Sequence, residues 1–286
     1  VGSKPILVIG HPRSGISWVG RTLAQAPEAL YYHEPCNPLA NGTNDMTIMD
    51  RYLRKDMIDL QLSALLDKAF YGLPSLRMSW SEKRWRRLFP GYRVVVKEVV
   101  TMVSTSWIYR RYKPVLVVVI RHPCAVVLSD LDQGTDPGES LKALLKQKML
   151  VDDHIKPYLP AIKKADTPIE KMGVIWGIRH RILANVLAEH SDANIIYYED
   201  LCTNPLDRFQ KLFDSIGLKW SKSVEKYIVA NTTKHVQGTY AVSRVTVEQA
   251  FKWKKRLTAS HAHTVRSLIR PFELPFYGAD KYWDIN

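Results

Sequence analysis

The feature that most constrains this chain is an apolar run near its start that ends in a loop bounded by two glycines. Residues 6–9 are all apolar, Gly10 and Gly15 stand five positions apart, and a helix-like pattern follows. The spacing matches the phosphate-binding loop G-x-x-x-x-G-K-[ST], with Ser17 in place but Ile16 at the lysine position. Consecutive amides that open onto a helix bind anions through their N–H groups and the helix dipole. The pattern therefore predicts a strand, an anion-binding loop and a helix, without the lysine that contacts the outer phosphates of a nucleoside triphosphate.

Arg13 lies inside this loop. Its guanidinium carries a permanent charge and forked donors, so it can replace the missing lysine as the cation for a phosphate. The alternative is an ordinary strand-turn-helix connection in which residues 12–15 form a plain turn. We favour phosphate binding because the glycines, the serine and the flanking strand all stand where such a loop needs them.

The charge of the chain indicates an anionic partner. Lys and Arg number 41 against 28 Asp and Glu, a formal net charge of +13 over 286 residues. Nucleic acid is one candidate for such a chain, but the sequence has no helix-turn-helix, zinc-finger or RNP-type pattern. The three cysteines lie far apart, which indicates neither a disulfide framework nor a metal site. We expect an anionic cofactor or substrate, no nucleic acid and no metal.

Several β-branched runs predict further buried strands, at residues 93–97, 115–120 and 194–198. Helix-like stretches cover residues 57–70, 140–155 and 173–189. Continuous apolar strands that alternate with helices are typical of a doubly wound α/β sheet, mainly parallel and flanked by helices, with ligands at the carboxyl ends of the strands. No linker or repeat divides the chain, so we expect a single domain over residues 1–286.

Arg121 follows the apolar run 115–120 directly, and Ser129 lies further along the next helix-like stretch. A cation at the end of a strand and a hydroxyl on the following helix can hold a phosphate from two sides. The alternative, that Arg121 pairs with a nearby carboxylate such as Asp130, is equally compatible with these residues.

Glu34 lies where the chain returns to the sheet after the first helix. A carboxylate there can accept a proton from a hydroxyl held over the loop, especially if burial raises its pKa towards the working pH. His33 is a rival for the same role, and either residue can simply end a short strand. Lys97 interrupts an apolar strand and would stabilise charge on a leaving group, unless it only marks where that strand reaches solvent.

These residues resemble a known family. Residues 12–18 resemble the 5′-phosphosulfate loop of sulfotransferases that use 3′-phosphoadenosine 5′-phosphosulfate (PAPS), and residues 121–129 resemble their 3′-phosphate motif R-x-P-x-x-x-x-x-S. Residues 198–201 resemble the Y-E-D-L strand of that family, so the likeness runs from about residue 6 to 253. It implies PAPS as cofactor, PAP as product, a P-loop-type fold, a 3′-phosphate held by Arg121 and Ser129, and an adenine near Tyr198. It also implies that the 5′ end is held by Arg13, Ser14, Gly15, Ile16, Ser17 and Trp18.

The resemblance is strongest to the carbohydrate, tyrosylprotein and bacterial enzymes. The cytosolic aryl and steroid enzymes have a histidine where this chain has Val99, whereas Glu34 and Lys97 match the catalytic glutamate and lysine of the tyrosylprotein group. Arg244 becomes a further candidate phosphate contact. No apolar run is long enough to cross a bilayer, so we expect a cytoplasmic protein of bacterial type, the alternative being the lumenal domain of a Golgi enzyme whose anchor has been removed.

The predicted activity is in-line transfer of a sulfuryl group from PAPS to an acceptor hydroxyl, with Glu34 as base and Lys97 at the leaving group. Residues 41–92 lie between these two and form a candidate acceptor-binding cap. The acceptor is a small molecule, a carbohydrate or a protein tyrosine. Two alternatives stay open: a nucleotide-dependent kinase with a degenerate loop, and a polyanion-binding protein without catalysis.

Overall fold

The computed structural model describes the chain over residues 3–73, 91–134, 136–233 and 247–284. The chain divides into two compact units, each built from two separate stretches. The first comprises Val1–Ile120 and Asp192–Gln249, and the second Arg121–Ser191 and Ala250–Asn286. A single domain with an acceptor cap at residues 41–92 stays a prediction, and residues 74–90 of that cap lie outside the described part of the chain.

All five strands of the described residues lie in the first unit and form one parallel sheet. They are β1 (Ile6–Gly10), β2 (Ala29–His33), β3 (Arg93–Glu98), β4 (Val115–Ile120) and β5 (Asn194–Tyr197). Their order is β2-β3-β1-β4-β5, so the sheet grows to both sides of β1 and the strand order reverses there. Every residue of β1 and β3 is buried, as expected for parallel strands covered on both faces. The predicted fold class is confirmed.

Helices surround the sheet in the first unit and make up the second. They are α1 (Ile16–Leu23), α2 (Pro38–Asn41), α3 (Leu60–Phe70), α4 (Thr105–Tyr112), α5 (Pro123–Leu131), α6 (Pro137–Leu145), α7 (Lys148–Leu150), α8 (Leu159–Ile162), α9 (Pro168–Glu189), α10 (Tyr198–Thr203), α11 (Pro205–Ile216), α12 (Lys222–Thr233), α13 (Val247–Arg256) and α14 (Ala259–Ile269). None of the described helices is both long enough and apolar enough to span a membrane.

Some elements differ from the sequence patterns. The Y-E-D-L stretch is helical, because β5 ends at Tyr197 and the acidic Glu199 and Asp200 favour the first turn of a helix. The predicted helix over 57–70 begins only at Leu60, since Asp59 caps it by accepting a hydrogen bond from the Leu62 amide at 2.8 Å. The stretch 140–155 is divided at Gln147, whose backbone is extended: α6 ends at Leu145, and a second helical segment begins at Lys148.

The second unit is organised around α9. This helix begins at Pro168, behind a capping box formed by Thr167 and Glu170, and α5, α6 and α14 pack on it. Its His180 stacks on Trp176 with ring centroids 3.7 Å apart, and burial lowers the pKa of His180 to about 3. This histidine is therefore a neutral core residue.

Candidate active site

The loop between β1 and α1 has the backbone geometry of an anion site. Arg13 and Gly15 both adopt left-handed conformations, with φ of 67° and 85°. The first helical hydrogen bonds run from Trp18 and Val19 to the Gly15 carbonyl, at 3.0 and 3.2 Å. The amides of residues 16–17 precede those bonds, so they have no acceptor inside the helix and face outward at its positive end. These amides are the groups that bind phosphate in such loops.

Both glycines of the loop are required sterically. A Cβ at Gly10 would lie 2.4 Å from the Val119 carbonyl oxygen, because β1 and β4 approach closely there. A Cβ at Gly15 would lie 2.4 Å from the Tyr198 ring. The Tyr198 side chain is buried and supports the loop from this contact. Its assignment to the adenine stays a prediction.

The loop side chains divide into buried and accessible ones. Ile16 is 3% exposed and packs beside Gly10, so only its backbone can face a ligand. Ser14 and Trp18 are buried, and their Oγ and Nε1 atoms have no hydrogen-bond partner among the described residues. Arg13 is exposed and Ser17 half-buried. Unsatisfied buried donors in a native loop call for an explanation, and a bound polar ligand is one.

Glu34 and Lys97 meet at the carboxyl ends of adjacent strands. The Lys97 ammonium donates a hydrogen bond to Glu34 Oε1, and the Glu34 amide donates to the Lys97 carbonyl at 2.7 Å. Asn37 Nδ2 donates to the other carboxylate oxygen of Glu34 at 2.6 Å. Lys97 is only 1% exposed. A Cβ added to Gly20 of α1 would lie 3.2 Å from the Cβ of Lys97. Lys97 therefore passes beneath α1, just after the anion loop.

The electrostatics of this pair differ from the expectation for Glu34. Burial opposes ionisation of Glu34, but the Lys97 ammonium and the hydrogen bonds outweigh it and lower the pKa of Glu34 below its ordinary value. Burial also lowers the pKa of Lys97, against the opposing effect of Glu34. The condition considered from the sequence, a pKa of Glu34 raised by burial, is not met, because a buried cation lies against the carboxylate. Glu34 is therefore ionised at neutral pH and able to accept a proton.

His33 lies beside the pair. Its Nδ1 is 2.8 Å from the Tyr31 hydroxyl, and its Nε2 is 3.9 Å from Glu34 Oε1. Burial, and then the charge of Lys97, lower the pKa of His33 to about 4. The imidazole is therefore neutral at pH 7. A neutral imidazole can accept a proton, so His33 stays a candidate base beside Glu34.

Comparisons with known proteins bear on the fold. The sequence matches no protein-family model and no curated protein. Among solved structures, the sulfotransferase domain from the Synechococcus PCC 7002 olefin synthase aligns with a TM-score of 0.53 at 14% identity, covering 96% of each chain. The chain has the sulfotransferase fold. A second sulfotransferase domain, from the curacin biosynthetic pathway, aligns with a TM-score of 0.51 at 16% identity, covering 96% of this chain and 99% of that one.

Two residues that the sequence assigned to phosphate binding in this sulfotransferase fold, Arg121 and Ser129, are not part of the Glu34–Lys97 cluster. Arg121 lies between β4 and the His122 that caps α5, and its carbonyl accepts a hydrogen bond from Trp176 Nε1 at 3.3 Å. Ser129 is half-buried near the end of α5. Both belong to the second unit, and their role at a 3′-phosphate stays a prediction. Arg244 lies outside the described residues.

The sequence patterns missed two residues at the candidate site. Asn37 holds the Glu34 carboxylate and also caps α2, accepting from the Leu39 amide at 3.1 Å. Asparagine before proline is a helix-start signal, and this signal was available in the sequence. Glu98 directly follows Lys97 and is fully buried. An acidic residue at the end of such an apolar strand is unusual, and this feature was visible in the sequence.

Proposed function

We propose that this protein is a sulfotransferase that moves a sulfuryl group from PAPS to an acceptor hydroxyl. The observation that carries the proposal is the Glu34–Lys97 pair at the sheet edge where β1 delivers its anion loop. The loop amides and Lys97 provide positive charge for a phosphosulfate, and Glu34 provides a base for the hydroxyl. A buried isoleucine at the lysine position of the loop argues against γ-phosphate chemistry.

The loop residues fit a phosphosulfate donor. The outward amides of Ile16 and Ser17 form the anion site, and the exposed Arg13 adds a cation. The unsatisfied Ser14 hydroxyl is a further donor in the same loop. PAPS supplies the sulfuryl group when bound and departs as PAP. Arg121, Ser129, Tyr198 and Arg244 keep their assignment to the adenosine 3′-phosphate end on the sequence resemblance alone.

Glu34 and Lys97 then act in a coupled way. As the acceptor oxygen bonds to sulfur, the hydroxyl proton passes to Glu34, and the electron pair of the breaking S–O bond stays on the phosphate oxygen. Lys97 stabilises that oxygen by donating a hydrogen bond to it. When the ammonium turns to the phosphate its hold on Glu34 weakens, so the carboxylate becomes more basic as its proton arrives. His33, neutral and 3.9 Å from Glu34 Oε1, is the alternative base.

The first experiment separates this function from its two rivals. Calorimetric titration with PAP, and separately with ATP and Mg²⁺, is expected to show tight binding of PAP only. ATP binding that requires Mg²⁺ would support a kinase, and binding of neither would leave a polyanion-binding protein. Cofactor-independent binding of heparin or nucleic acid would identify that last case.

The second experiment identifies the acceptor. Purified protein with sulfur-labelled PAPS is offered small alcohols, oligosaccharides and tyrosyl peptides, and labelled products are separated by chromatography. Label in one class assigns the substrate. PAP binding without label transfer to any class would mean that the site binds the donor without catalysing transfer.

A further inference from the structure

Glu98 is a buried carboxylate that the proposed mechanism does not use. It is the last residue of β3 and is fully buried. Its Oε2 accepts a hydrogen bond from the Cys36 amide at 3.0 Å, and its Oε1 accepts from the Val99 and Val100 amides at 2.8 and 2.7 Å. One carboxyl group therefore satisfies three backbone donors from two segments of the chain.

These two segments carry the catalytic pair. Cys36 follows Glu34 by two residues, on the turn that leaves β2, whereas Val99 and Val100 continue the strand that contains Lys97. Ladder pairing between the strands ends where His33 lies opposite Lys97. Beyond that point two bonds join the segments: the Glu34 amide donates to the Lys97 carbonyl, and the Cys36 amide donates to the Glu98 carboxylate. The Val99 and Val100 amides hold that carboxylate in place from its own segment.

The turn at Glu34 needs such a restraint. Its φ is 48°, in the left-handed region, which is strained for a residue with a side chain. Strained conformations of this kind persist where the surroundings hold them, and they concentrate at functional sites. Asn37 holds the carboxylate end of Glu34, and Glu98 holds the backbone two residues later.

We propose that Glu98 is a positioning residue, whose carboxyl group fixes the turn after β2 against the end of β3 and so sets the geometry of the Glu34–Lys97 pair. The inference rests on the proposed function, because it assigns Glu98 to the same reaction. Glu98 touches neither donor nor acceptor in this role and acts through the backbone. Burial raises its pKa to about 7, while the amide donors oppose that shift, so these hydrogen bonds favour the ionised form that the bracing needs.

The central test is Glu98→Gln. The glutamine carbonyl can still accept from Val99 and Val100, but its NH₂ group faces the Cys36 donor and that restraint is lost. We expect kcat for transfer from PAPS to fall by about 10- to 100-fold, as for a displacement of reacting groups by about 1 Å. The KM for the acceptor and the Kd for PAP are expected to stay within about twofold, because the β1 loop is untouched.

Glu28→Gln is the matched control. The Glu28 carboxylate also accepts a backbone hydrogen bond in the first unit, from the Lys219 amide at 2.7 Å. Glu28 lies at the amino ends of β2 and β3, opposite to the end that carries the pair, since its carbonyl accepts from the Arg93 amide at 2.8 Å. We expect Glu28→Gln to leave kcat unchanged. An equal loss of kcat in both variants would overturn the proposal, as would a Glu98→Gln enzyme with the kcat of the unmodified protein.

A double-mutant cycle distinguishes positioning from general destabilisation. If Glu98 acts through Glu34, adding Glu98→Gln to Glu34→Gln lowers kcat no further, since the group that it positions is already gone. Multiplicative losses would overturn the proposal.

The accessibility of the Lys97 side chain can be measured without any enzyme activity, so it also tests variants that show no turnover. Reductive methylation of the native protein, followed by mass spectrometry, is expected to spare the buried Lys97 in the unmodified chain and in Glu28→Gln. Glu98→Gln, or Glu98→Asp if the glutamine variant does not fold, is expected to label Lys97 at least several-fold faster. Unchanged protection overturns the positioning role. Absence of transfer by the unmodified enzyme overturns the proposed function, and the methylation result then decides the role of Glu98 separately.

Discussion

Lys97 donates a hydrogen bond to Glu34 from a position that is almost completely buried. Lys97 lies on β3 and Glu34 in the turn directly after the neighbouring parallel strand β2, and each residue favours the charged form of the other. Removing one partner of a buried pair leaves the other without compensation, so the pair is an arrangement that the fold must maintain. In the proposed mechanism, a donor phosphate that attracts the ammonium also releases the carboxylate, so we expect donor binding to strengthen Glu34 as a base.

Glu34→Gln removes the proposed base and keeps the shape of the side chain. We expect kcat for sulfuryl transfer to fall by about 10²- to 10⁴-fold, because an amide cannot take the proton. Binding of PAP by calorimetry is expected to stay nearly unchanged. The control is Glu248→Gln, an exposed position on α13, and it should behave as the unmodified enzyme. If Glu34→Gln kept its turnover and His33→Gln lost it, the general base would be His33 and not Glu34.

Ile16→Lys restores the lysine of a nucleotide-binding loop. Because Ile16 is 3% exposed and packs beside Gly10, the ammonium has no room to reach a ligand and is buried in apolar surroundings. We expect the free energy of unfolding to fall by several kcal/mol, about the cost of a core defect, without any gain of ATP binding. Ile16→Val removes one methylene and should cost about 0.5–1.5 kcal/mol. Tight ATP binding by a stable Ile16→Lys protein would contradict this assignment of the loop.

Gly15→Ala tests the loop backbone against a matched glycine. Gly15 and Gly91 have nearly equal positive φ values, 85° and 84°. An added Cβ at Gly15 would lie 2.4 Å from the Tyr198 ring, whereas one at Gly91 would have no neighbour within 4 Å among the described residues. Both alanine variants lose about 1–2 kcal/mol through backbone strain. Gly15→Ala is expected to lose more than Gly91→Ala in chemical denaturation, and to weaken PAP binding at least tenfold. Equal effects in the two variants would mean that the Tyr198 contact has no role in shaping the loop.

Acid is expected to destabilise the protein below pH 6.5. Burial lowers the pKa values of His33, His122 and His180 to about 4, 3 and 3 from 6.5. The three histidines bind protons more weakly in the folded state than in the unfolded state. Their contribution to the free energy of unfolding is therefore fully present above pH 6.5 and is lost as the pH falls towards 3. The pKa of Glu98 is raised to about 7 from an ordinary value of 4.5, so protonation of Glu98 stabilises the fold as the pH falls. This opposite effect comes from one group, against three histidines.

The measurement is the free energy of unfolding in urea at pH 7.5, 6 and 5. We expect it to decrease at each step, and His33→Gln to flatten the dependence between pH 6.5 and 4. A slope that is identical in His33→Gln would remove that residue from the titrating set. Greater stability at pH 5 than at pH 7.5 would assign the dominant effect to Glu98.

Much of the candidate site was accessible from local patterns. The loop from Gly10 to Ser17 follows from residue spacing, since glycines at a strand end and at a helix start have few other uses. Glu34 and Lys97 could be chosen from the sequence because charged residues near the carboxyl end of an apolar strand mark the sheet edge where ligands bind. The role of Arg121 stays a prediction. The helical start at Tyr198 was not predicted from the pattern, because a Tyr-rich run ending β5 favours a strand while the following acids favour a helix.

Short-range periodicity and glycine geometry are enough to predict from the sequence the parallel sheet, the glycine-bounded loop after β1 and the residue types at the carboxyl edge of the sheet. That Glu34 lies against Lys97, far along the chain, and that the pKa of Glu34 is lowered, follow only from the folded structure. The same holds for Glu98, whose carboxyl group joins Cys36 to Val99 and Val100. Electrostatic contacts and buried hydrogen bonds depend on distances between strands, and those distances exist only once the sheet has formed.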